Sequence, residues 1–135
     1  MKNITWFVTH FVFVVSLLLT QLSLADDDTT IQLAATNGCL ICHSIEPLNV
    51  NNDPGAILPV GPAYQDVAER YKDNDKAYEQ LVEIVKHGSN PYQSHWKGRI
   101  SGLAMPPSVA LGEEDAKKLV KWILSLTKSN DIVEE

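Results

Sequence analysis

The sequence predicts an all-α domain. Apolar residues recur at i, i+3 and i+4 along several stretches, and no run alternates apolar and polar residues over the length of a strand. The intervals between the periodic stretches are dense in proline, glycine and asparagine, the residues of turns and loops. With 135 residues, the chain has room for one domain once an N-terminal segment is set aside.

That segment is residues 1–25. Lys2 precedes an apolar centre at Phe11-Val12-Phe13-Val14-Val15-Ser16-Leu17-Leu18-Leu19, and Ser23-Leu24-Ala25 then places small residues where a signal peptidase reads them. The run also approaches the roughly 20 residues that span a bilayer, so an uncleaved anchor is the alternative. Thr5, Thr9, His10, Ser16, Thr20 and Gln21 dilute it and favour a cleaved export signal. Cleavage after Ala25 leaves residues 26–135 as the mature domain. Its formal charge falls from the −6 of the full chain to −7, because Lys2 is the only charged residue removed. That sign argues against nucleic acid and against anionic lipid surfaces.

Four helices are expected in the mature part. The first covers residues 29–37, with Asp28 or Thr29 as its cap, Ile31, Leu33, Ala34 and Ala35 as its apolar side, and Asn37-Gly38 at its end. Residues 44–60 carry Pro47, Asn51-Asn52-Asp53-Pro54-Gly55 and Pro59, and read as loop. A second helix over residues 63–72 presents Tyr64, Val67, Ala68 and Tyr71, and Asp73-Asn74-Asp75 breaks and caps. A third over residues 75–87 presents Tyr78, Leu81, Val82 and Val85, with His87 serving the carbonyls of its last turn and Gly88 closing it. Residues 89–111 have no usable period, and a loop that long in a small domain implies a ligand to wrap. The fourth helix, residues 112–128, opens on Glu113-Glu114-Asp115 and carries Ala116, Leu119, Val120, Ile123, Leu124 and Thr127 as a stripe, with Trp122 packing beside it.

The chemistry is concentrated in Cys39-Leu40-Ile41-Cys42-His43. Two thiols three residues apart can add to the two vinyl groups of a haem, and the adjacent imidazole can reach the iron, so the run reads as a c-type haem attachment site. A thioredoxin-like redox pair would require a βαβ context that the pattern lacks. A zinc site would need a second ligand pair, and a simple disulfide would leave His43 unexplained.

With these parts in place, the mature chain resembles the class I c-type cytochromes, in particular the small monohaem electron carriers of the bacterial periplasm. The resemblance rests on Asn37-Gly38-Cys39-Leu40-Ile41-Cys42-His43, Val60-Gly61-Pro62-Ala63-Tyr64, Lys86-His87-Gly88-Ser89, Ala104-Met105-Pro106-Pro107 and Lys121-Trp122-Ile123-Leu124. It implies a small cytochrome c fold, in which about four helices wrap one covalent haem and the first and last helices pack together. It further implies thioethers at Cys39 and Cys42, iron ligation by His43 and Met105, and a Pro62 carbonyl that orients the His43 ring. By the same resemblance Trp96 hydrogen-bonds a haem propionate. Met105 is the only methionine of the mature chain and lies in a proline-bounded loop; His95, in the same loop, is its one rival.

Ligation by His43 and Met105 leaves no open iron position for a substrate, so the implied function is one-electron transfer and not catalysis. The expected partners are periplasmic donor and acceptor proteins, met transiently by a monomer that does not insert in the membrane after cleavage. Two alternatives remain: a haem subunit of a periplasmic dehydrogenase or sulfur-oxidising complex, and a ligand-binding haem protein from which Met105 dissociates.

Overall fold

The computed structural model describes residues 22–48 and 57–126. Helices α1 (Leu22–Thr36), α2 (Tyr64–Tyr71), α3 (Ala77–His87) and α4 (Glu113–Ser125) follow in chain order, with short 3-10 turns at Cys39–Ile41 and Pro91–Gln93. No strand occurs among the described residues. The expected signal segment lies outside the described residues as far as position 21, as do much of the 44–60 loop, Thr127 and the polar tail.

α4 organises the rest because its stripe is apolar on the side that α1, α2 and α3 share, and it packs against all three. Ala116, Leu119, Val120, Trp122 and Ile123 are buried along it. They meet Ala34 of α1, Tyr64 and Val67 of α2, and Val82 and Val85 of α3 in one core cluster. Trp122 is a packing residue, edge-on to Tyr64 with ring centroids 5.7 Å apart. The first and last helices therefore do pack together, as expected.

Two helix starts differ from expectation. α1 begins at Leu22, so Asp28 and Thr29 lie inside the helix and cap nothing. Its backbone continues upstream through residues 22–25, and the Thr29 hydroxyl accepts a bond of 3.0 Å from Lys118 Nζ of α4. A chain starting at Asp26 would keep the packed part of this helix, where Thr30 and Ala34 are buried. α3 begins at Ala77, two residues past Asp75, because Asn74 makes the turn: its side-chain oxygen accepts from the Lys76 N–H at 3.0 Å and its carbonyl from the Ala77 N–H at 2.9 Å.

Candidate functional site

A cavity of about 920 Å³ opens between α2, α3, α4 and the two long loops, with Cys39, Cys42, His43, Trp96 and Met105 in its walls. That volume is at the upper end of the roughly 300–1,000 Å³ of sites that take a cofactor-sized ligand. Most of the remaining wall is apolar, including Val67, Leu81, Val85 and Ile123. A flat, largely apolar group with a polar edge fits such a space.

Cys39 and Cys42 are held on one turn. α1 closes with the Asn37 N–H on the Leu33 carbonyl and the Gly38 N–H on the Ala35 carbonyl, and the 3-10 turn Cys39–Ile41 follows at once. Both side chains are half-buried and not linked to each other. Burial pushes the Cys39 thiol up, with the Tyr64 hydroxyl beside it opposing the shift. Burial likewise pushes the Tyr64 phenol well above its usual range. The surroundings of the pair are helical, so the redox-pair reading lacks its context. Among the described residues no three His, Cys, Asp or Glu side chains converge as a metal site.

His43 leaves that turn into a cradle. The chain at 61–65 runs beside 42–45, with the Gly61 N–H on the Cys42 carbonyl (2.8 Å), the Tyr64 N–H on the Ser44 carbonyl (2.9 Å) and the Gln65 N–H on the Ile45 carbonyl (3.1 Å). His43 Nδ1 lies 2.7 Å from the Pro62 carbonyl oxygen. The ring stacks on Tyr64, with centroids 5.3 Å apart and planes 18° from parallel. A carbonyl can only accept, so Nδ1 carries the proton and Nε2 keeps its lone pair. Burial draws the imidazole below its ordinary value, more than the Pro62 bond restores, and favours this neutral form.

Met105 is half-buried against the core cluster. Its N–H donates to Ser89 Oγ at 2.8 Å and its carbonyl accepts from the Ser89 N–H at 2.9 Å, so the segment is tied at both backbone groups. Gly88, at φ +84°, is needed for this approach: a Cβ there would lie 2.8 Å from the Met105 carbonyl oxygen. His95 also lines the cavity, but it is exposed and stands edge-on to Tyr71 at 6.4 Å. His87 pairs with Glu83 at 3.0 Å instead of serving the helix carbonyls, one of which, that of Ile84, takes the Gly88 N–H.

The surroundings of Trp96 went unread in the sequence. The only two arginines of the chain, Arg70 of α2 and Arg99 of the loop, bring their guanidinium carbons to 5.8 and 5.4 Å from the Trp96 ring centroid. Arg99 also reaches Asp66 at 3.5 Å. In a chain of net negative charge, both arginines thus lie over a residue of the cavity wall, and their field favours an anionic edge of a ligand on that side.

Comparison with known proteins gives the family. The cytochrome c family profile matches residues 31–127. Cytochrome c-552 of Nitrosomonas europaea is 36% identical over 94 residues, covering 70% of this chain and 75% of that protein. Cytochrome c-551 of Pseudomonas aeruginosa is 33% identical over 108 residues, covering 80% and 85%. The crystal structure of wild-type N. europaea cytochrome c552 superposes with a TM-score of 0.53 at 37% identity, over 70% of this chain and 96% of that one. The chain therefore belongs to the cytochrome c family, among the small bacterial class I electron carriers that hold a covalently bound haem c.

Proposed function

We propose that the chain carries single electrons between periplasmic proteins, with its haem joined at Cys39 and Cys42 and the iron ligated by His43 and Met105. The supporting observation is that His43 and Met105 line one cavity, each tied in place through backbone: His43 to Pro62, Met105 to Ser89. Bound haem supplies a ferric/ferrous couple, and two protein ligands leave that iron no position for dioxygen or a substrate. Each part of the chain then has a simple task. The Cys39–Ile41 turn fixes the macrocycle, Pro62 holds the His43 proton on Nδ1, and the neutral Met105 thioether favours the reduced state. Trp96 and the two arginines over its ring favour the carboxylate edge of the porphyrin on their side. His95 is the weaker candidate for the second ligand, since it is exposed and already engaged with Tyr71.

The same reading covers location and partners. Residues 1–25 direct export and are removed after Ala25, which N-terminal sequencing of the exported protein checks. No helix among the described residues is long and apolar enough to cross a membrane. The formal −7 of the mature chain speeds encounter with a basic docking patch, while apolar residues at the cavity mouth make the contact. Ile41 is 84% and Val60 49% exposed, as such a contact requires. The test is carbon monoxide added to the reduced protein at neutral pH. A carrier with both ligands in place shows no spectral change, whereas binding would favour a ligand-binding haem protein.

A further inference from the structure

The loop that carries Met105 is bonded directly, at the cavity mouth, to the segment that leads into the His43 cradle. The Ser101 N–H donates to the Pro59 carbonyl at 2.8 Å, and the Gly102 N–H donates to the Val60 carbonyl at 3.0 Å. The Ser101 hydroxyl adds a second bond to the Pro59 carbonyl at 3.2 Å. Pro59 and Val60 run straight into Gly61 and Pro62, the cradle of His43. Ser101 and Gly102 run through Leu103 and Ala104 into Met105. The contact is so close that position 102 must be glycine: a Cβ there would lie 2.5 Å from the Val60 carbonyl oxygen, and backbone cannot swing aside as the end of a side chain can.

On its other side the Met105 segment is tied to Ser89, just beyond the end of α3, and to α3 itself through the Ser108 N–H on the Val85 carbonyl at 3.0 Å. The segment thus has two supports. The α3 support joins a core helix, while the loop bridge stands at the surface, with Leu103 83% exposed. Backbone bonds in such a setting open at lower cost than those of the core.

We propose that the Pro59-Val60/Ser101-Gly102 bridge is the positioning device that keeps Met105 on the iron, and that Gly102 is its critical residue. Closed, the bridge references Met105 to the His43 cradle across the cavity mouth. Open, the stretch from Gly102 to Met105 is fixed at one end only and the thioether is free to leave. The inference rests on Met105 being the second ligand. Loss of one or two backbone bonds should shift the Met105 dissociation equilibrium by on the order of tenfold.

The test uses the ferric holoprotein titrated with imidazole, which competes with Met105 and abolishes the near-infrared absorption of sulfur-ligated haem. Gly102→Ala should bind imidazole on the order of tenfold more tightly than wild type. Gly112→Ala should match wild type, because a Cβ there meets only Asp115 Oδ2, at 3.7 Å. Hydrogen exchange on the wild-type protein covers the case in which Gly102→Ala does not fold: the Ser101 and Gly102 amides should lose protection once imidazole has displaced Met105. Wild-type affinity in folded Gly102→Ala, or unchanged protection of those amides, would overturn the bridge while leaving the ligand assignment standing. A wild-type sulfur band that is absent, or that survives Met105→Ala, would overturn the ligand assignment and the bridge with it.

Discussion

His43 Nδ1 lies 2.7 Å from the Pro62 carbonyl oxygen, and this contact decides which ring nitrogen is free to meet a metal. Because the carbonyl cannot donate, the proton stays on Nδ1 and the basic lone pair on Nε2. The residue between Pro62 and Val60 makes the contact possible. A Cβ on Gly61 would fall 2.7 Å from His43 Cε1, 2.9 Å from Nδ1 and 3.0 Å from Nε2.

Gly61→Ala should therefore displace the imidazole and cost about 1–3 kcal/mol of stability, the usual range for overpacking a filled site. Denaturant unfolding of the holoprotein measures the loss, and the haem spectrum should change with it. Pro62→Ala keeps the carbonyl, so its spectrum should stay near that of wild type. A Gly61→Ala protein with wild-type stability would mean that the cradle is not close-packed.

Arg70 and Arg99 place two positive charges against Trp96 at the cavity wall. Ferric haem carries one more positive charge than ferrous, so nearby cations favour the reduced state. Arg70→Gln and Arg99→Gln should each lower the reduction potential, and Asp66→Asn should raise it by removing the carboxylate 3.5 Å from Arg99. Voltammetry at low and high salt checks this, because screening at about 8–10 Å near physiological ionic strength should shrink the shifts.

At the start of α4, Lys117 Nζ lies 2.8 Å from Glu113 Oε1 and 3.0 Å from Glu114 Oε1. The hydrogen bond and charge of Lys117 hold the Glu113 carboxyl below its ordinary 4.5, and the bonds Lys117 donates to both glutamates hold it above its ordinary 10.5. The Glu113 contribution to stability is thus present above pH 4.5 and lost as pH falls through the lowered folded value. The Lys117 contribution is present below 10.5 and lost as pH rises through its raised folded value. These side chains face solvent, so the effect is small and salt-sensitive. Glu113→Gln should slightly flatten the acid side of the unfolding-midpoint curve at low salt, and a difference that persists in high salt would contradict this.

Much of the fold is legible in the chain because α2, α3 and α4 bury regular stripes, and Asn37-Gly38 marks the end of α1. The start of α1 was hidden, since Asp28 and Thr29 are good capping residues in any helix that begins there, and nothing local reveals that this one begins earlier. Cys39, Cys42 and His43 stand out by spacing alone. The Arg70–Trp96–Arg99 group does not, because its members lie on a helix and a distant loop and meet only in three dimensions. The Pro59-Val60/Ser101-Gly102 bridge leaves even less trace, since it joins two aperiodic loops through backbone. Gly102 is its one mark in the sequence, and a lone glycine in a loop reads as an ordinary turn.

The most direct test of the ligand set is the ferric spectrum and reduction potential of Met105→Ala set beside His95→Ala. Met105→Ala should lose the near-infrared sulfur–iron absorption, fall in potential and bind carbon monoxide when reduced, while His95→Ala should retain wild-type values in all three. A Met105→Ala protein with wild-type absorption and potential, or a His95→Ala protein that loses them, would contradict the assignment of His43 and Met105 as the iron ligands.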